Sequence, residues 1–85
     1  MALLIFPGRR RNAADGGEFV RRSVEVHKHP PATWAKYPDD WNSIIDMEYK
    51  ELSAARVAGN TADYMENLVH LATACMESYE HHRRA

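Results

Sequence analysis

The chain has almost no means of stapling itself. Cys75 is its one cysteine, so no intrachain disulfide can form, and nothing resembles the spacing of a closed zinc site. Excess charge is missing too, because 11 Lys and Arg against 12 Asp and Glu leave a formal net charge of −1. A protein that binds nucleic acid through bulk electrostatics needs a basic balance. The runs Arg9-Arg10-Arg11 and Arg21-Arg22 come without interleaved aromatics or a reading motif, so nucleic acid is not an expected partner. Long apolar runs are absent as well. The opening stretch MALLIF is far too short to span a bilayer and lacks the pattern of a signal peptide. A lone thiol and no membrane segment make the cytoplasm the expected compartment. There is also no P-loop, no Gly-rich phosphate cradle and no Ser-His-Asp order.

What is present is one small domain of 85 residues. A chain of that size buries only about 60–65% of its unfolded surface, and without disulfide or zinc it is expected to complete its core by forming a homo-oligomer. Residues 1–16 read as an N-terminal arm, partly flexible, ending in the turn-rich NAADGG. Residues 17–85 read as the folded domain. Glu18 to about His27 suits a short helix, although its valines also suit a strand. The prolines of HKHPPATWAKYPDD then forbid continuous helix.

Beyond this connector the pattern is helical. Asp39 or Asp40 offers an N-cap for a helix running to about Ala58, and Gly59 suits the left-handed position that ends it. Asn60 or Thr61 caps a third helix reaching about His82, whose last turn is rich in His and Arg. Two long helices joined by so short a turn lie antiparallel. The expected fold class is all-α, a helical hairpin with a short N-terminal helix.

Helix two raises a chemical question. At about 100° per residue, Trp41, Ile45, Glu48 and Leu52 fall within about 60° of one another, with Ile44, Glu51 and Ala55 on the adjoining flank. Both glutamates thus project from the side expected to pack. An unpaired buried carboxylate costs several kcal/mol, so a partner is required. The residues allow two kinds. One is a cation such as Arg56 or Lys50 of a neighbouring chain. The other is a divalent metal, since Glu at i and i+3 can hold Mg²⁺ through hard oxygen ligands.

From about Trp41 to Tyr79 the chain resembles the MazG-like nucleotide pyrophosphohydrolases, especially short phage-type members. The resemblance lies in WNSIIDMEYKELSAA, then GNTADY, then ENLVHLATACMESY, with a Pro-rich, Trp-containing lead-in. It implies an all-α fold in which hairpins assemble into oligomeric bundles. It also implies Mg²⁺ held by ExxE on one helix and ExxD on the next, cleaving nucleoside triphosphates to monophosphate and pyrophosphate. Glu48 and Glu51 carry over as the ExxE pair, catalytic through the metal. Asn67 and His70 stand where ExxD is expected, so the spacing matches and the chemistry does not: Asn is a weak neutral donor and His suits softer metals. Asp63 and Glu66 lie close enough in sequence to substitute. Lys50 and Arg56 would neutralise phosphates, and Trp34 would stack on the base or, with Tyr37 and Trp41, cover the end of the hairpin.

Tyr64, Leu68, Leu71, Ala72, Cys75, Met76 and Tyr79 form the apolar side of helix three. Cys75 is expected there as a buried core thiol, and the Leu68, Leu71 and Cys75 side as the oligomer interface. His70 and Glu66 point away from that side and read as solvated. His27 and His29 form an H-x-H without a third ligand. Two functions are consistent with these residues: a Mg²⁺-dependent nucleotide-binding hydrolase, or a non-catalytic interaction protein on the same scaffold that sequesters a nucleotide or docks on a host protein.

Overall fold

The computed structural model describes residues 8–84, with side chains from residue 17 onward. Helix α1 spans Gly8–Lys28, a short 3-10 helix spans Ala32–Lys36, α2 spans Trp41–Ala58 and α3 spans Thr61–Arg84. No strand occurs among the described residues, as the all-α expectation required. None of these helices is long and apolar enough to cross a membrane.

Helix α1 starts ten residues ahead of the expected Glu18. NAADGG is helical, not a break, so residues 8–16 extend the helix and only residues 1–7 of the expected arm lie outside the described residues. Arg and Ala around the two glycines are good helix formers, and they outweigh a glycine penalty of about 1 kcal/mol each. The helix stops where expected. His29 N–H makes a last i→i−4 bond to Glu25 O at 2.9 Å, and Pro30 follows with no N–H to give.

The connector is a chain of i→i+3 bonds: Trp34 N–H to Pro31 O, Tyr37 N–H to Trp34 O and Asp40 N–H to Tyr37 O, each at 3.0 Å. Asp39 takes the left-handed conformation at φ 59, which a short polar side chain tolerates. Asp40 then caps α2, accepting from Ser43 N–H at 3.2 Å and Ser43 Oγ–H at 2.8 Å. The α2 end is a Schellman turn. Gly59 sits at φ 72, its N–H reaches Arg56 O at 3.1 Å, and Asn60 N–H reaches Ala55 O at 3.0 Å. Asn60 caps α3 by accepting from Asp63 N–H at 3.1 Å.

Helix α3 is central. α2 returns along it antiparallel, as so short a link requires. α1 runs parallel to α3 on the adjoining flank, since Arg22, Ser23 and His27 meet Glu66, Thr73 and Glu77 in order. The core consists of Val26, Trp34, Ile44, Val69 and Ala74, with Tyr37, Trp41, Ile45 and Met47 packed on it. Trp34 and Trp41 meet edge to face at 5.7 Å, and Trp41 Nε1 is buried without a partner.

This packing corrects the expected burial of α3. The buried residues are Val69, Thr73 and Ala74, with Glu66 and His70 half-buried beside them. Cys75 is exposed, so it is not a core thiol. The apolar stripe is real, but α1 and α2 occupy the other side of the helix. His70, expected in solvent, is turned inward with a side chain only 20% exposed.

Candidate functional site

Glu48 is 1% exposed, the most deeply buried ionisable side chain described. Its position follows from the α2 stripe, one turn on from Ile44 and facing α3. The connector supplies its first partner: Trp34 Nε1–H donates to Glu48 Oε2 at 2.7 Å. Its other oxygen, Oε1, makes no hydrogen bond and faces His70 Nδ1 at 3.5 Å, an ion-pair distance beyond hydrogen-bond length. From its second ring nitrogen, His70 meets Glu66 Oε2 at 3.2 Å. Glu66 in turn accepts from Arg22 on α1. One polar chain therefore joins the connector, α2, α3 and α1.

The chain grades from sealed to open. Side-chain exposure rises from 1% at Glu48 through 20% at His70 to 40% at Glu66 and 41% at Arg22. His70 presents each ring nitrogen to a carboxylate. A neutral imidazole has one N–H, so it donates to one and turns a lone pair toward the other; only an imidazolium satisfies both. The outer Arg22–Glu66 pair is solvent-screened and contributes at most about 1 kcal/mol. The inner part is different, because removing one member strands a buried polar group or charge.

The other candidates fall elsewhere. Glu51 is exposed, not on the packed side, and does not converge with Glu48. Its backbone oxygen accepts from Asn67 Nδ2–H at 3.3 Å, and its side chain lines an open groove with Asn60, Asp63 and Asn67. The four candidate metal ligands thus stand as two separate rungs across the hairpin, Glu48 with His70 and Glu51 with Asn67. No group of three or more His, Cys, Asp or Glu that could hold a metal occurs among the described residues.

Mg²⁺ needs several oxygen ligands in near-octahedral order. Glu48 gives one oxygen to an indole and turns the other to an imidazole, so the residues around it do not fit that ion. Lys50 pairs with Asp46 at 3.2 Å, and Arg56 is exposed beside Gly59 and Asn60 at the hairpin end. Within one chain neither is a partner of Glu48. Trp34 is 6% exposed and packed in the core, with its indole N–H given to Glu48. His27 pairs with Glu77 on α3, a second tie between α1 and the hairpin.

The sequence marks Trp34 for base stacking, Glu66 as a substitute metal ligand and Arg22 only as part of a basic run, whereas the structure makes them partners in the Glu48–His70 chain. The Glu66–His70 contact was legible as an i,i+4 pair. The Trp34 and Arg22 contacts are tertiary, and no local signal announces them. Comparison with protein-family models, with curated proteins and with solved structures finds no match.

Proposed function

We propose that the chain is a non-catalytic helical interaction protein, on a MazG-like scaffold in which the metal-site carboxylate has become a structural element. The observation that carries this reading is Glu48, sealed at 1% exposure between Trp34 and His70. A group held there cannot meet a nucleotide phosphate without dismantling the core. Its role is to tie the connector and the helices into one unit, leaving the outer helix faces free to dock.

A second reading retains nucleotide binding. It rests on the open groove that brings Glu51, Asp63 and Asn67 together away from Glu48. There the two carboxylates would hold Mg²⁺ on a triphosphate, and hydrolysis would require the metal to orient a water.

Isothermal titration with nucleoside triphosphates, with and without Mg²⁺, separates these readings. The interaction-protein reading expects no Mg²⁺-dependent heat from the parent chain. Binding that disappears in Glu51→Gln and survives in Glu48→Gln establishes the groove. Binding abolished by Glu48→Gln in a folded variant overturns the structural assignment of Glu48.

A further inference from the structure

An open groove runs over the connector between α1 and α2, and it shares no residue with the groove at Glu51. Three prolines, Pro30, Pro31 and Pro38, and three aromatics, Trp34, Tyr37 and Trp41, form most of its lining. Trp34 and Trp41 meet at 87°, so the two indoles make a corner, not a parallel stack. The wall is held in place. Trp34 gives its N–H to Glu48, and Tyr37 and Trp41 pack against the core.

The groove gives an occupant very little to hydrogen-bond. Pro30, Pro31 and Pro38 have no N–H. The backbone N–H groups of Trp34, Tyr37 and Asp40 are spent on the i→i+3 bonds of the connector. The indole N–H of Trp34 is taken by Glu48, and that of Trp41 is buried. An ordinary strand or loop seated here would press its own N–H groups against apolar rings and leave them unpaired, which is costly. It would also lose conformational freedom on docking. A run of prolines has no N–H to strand and is extended before it binds, so it meets neither penalty.

Charge selects between the occupants that suit an aromatic corner. Asp39 is exposed and is the one charged residue in the lining, with no Lys or Arg beside it there among the described residues. A nucleotide would set its phosphate against that carboxylate with no cation to offset it. A peptide with Lys or Arg beside its prolines gains an ion pair instead.

We infer that the connector groove docks a proline-rich segment of a partner protein, extended as polyproline II and carrying an arginine or lysine that meets Asp39. The prolines lie against Trp34, Tyr37 and Trp41, and their carbonyls face solvent. This rests on the interaction-protein reading and gives that reading a class of partner. The buried Glu48 then serves the surface as well, because its bond to Trp34 fixes one wall of the groove.

Trp34 and Trp41 are the chain's two tryptophans and both line the groove, so intrinsic fluorescence reports its occupancy directly. The probe is a synthetic peptide of roughly ten residues, one arginine followed by prolines. Titration into the parent chain is expected to give a saturable change in emission. A Gly-Ser peptide with the same arginine is expected to give none. Asp39→Asn removes the charge and keeps a residue that tolerates the left-handed backbone. It is expected to weaken the arginine peptide about two- to fivefold, the range of an exposed ion pair, and to leave an all-proline peptide unchanged. Ala35→Arg, at an exposed position on the wall, is expected to abolish binding with thermal unfolding unaltered. No emission change with the proline peptide, equal binding of the Gly-Ser peptide, or Asp39→Asn binding both proline peptides as the parent does overturns the proposal. These three results leave the interaction-protein reading standing, since that reading is tested by Mg²⁺-dependent nucleotide titration. A nucleoside monophosphate that displaces the peptide also overturns the proposal and gives the groove to a base.

Discussion

At Glu48 the cost of burying a carboxylate is offset by two unlike groups, an indole N–H and an imidazole. Glu48→Ala removes both contacts, stranding Trp34 Nε1 and the inner nitrogen of His70. Urea unfolding is expected to show a loss of about 3–5 kcal/mol, the range for breaking a buried pair from one side. Glu48→Gln is expected to stay within about 1 kcal/mol of the parent. Its amide oxygen accepts from Trp34, and its NH₂ donates to a neutral His70 that still gives its other N–H to Glu66. Equal losses in the two variants would show that the carboxylate's charge, the one property Gln lacks, sets the role of Glu48. Its presence in an apolar stripe already marked it in the sequence. Its partners were not legible, because Trp34 reaches it across a proline-rich connector and His70 across the hairpin turn. Glu51 shows the limit of the wheel: three residues on from Glu48 is a swing of about 60°, enough to take it from the α2–α3 seam into solvent.

Among the elements, the hairpin was the most legible, since its signals are local. Asp40 caps α2 through Ser43, and Gly59 and Asn60 close and reopen the helices through backbone bonds that need no distant partner. Helix α1 was less so. Gly16 and Gly17 look like punctuation, yet the helix continues through them. A Cβ built at Gly17 meets nothing within 4 Å, whereas Gly59 occupies φ 72. Gly17→Ala is accordingly expected to raise stability by roughly 0.5–1 kcal/mol, and Gly59→Ala to lower it by about 1 kcal/mol. Thermal unfolding of the pair checks both signs, and a destabilising Gly17→Ala would contradict an unbroken α1. On α3 the periodicity identified an apolar side correctly but could not say what covers it. That depends on where α1 docks, which Arg22–Glu66 and His27–Glu77 help to set from more than forty residues away.

For the whole molecule, the buried core is small, and Met65, Met76 and Tyr79 of α3 stay exposed. A chain that self-associates is expected to unfold at a temperature that rises with protein concentration, and light scattering at matched concentrations tests whether mass and stability move together. A concentration-independent unfolding temperature would show that the monomer stands alone. Within the monomer, the chain Trp34–Glu48–His70–Glu66–Arg22 is the polar feature that touches every helix and the connector. Its inner contact carries the account. The most direct measurement is a double-mutant cycle on Glu48 and His70, each changed to Ala singly and together, followed by urea unfolding at one fixed protein concentration. A structural network predicts a coupling of at least about 1 kcal/mol between the two sites. Losses that add to within about 0.3–0.5 kcal/mol would contradict it, leaving Glu48 without the partner this structure gives it.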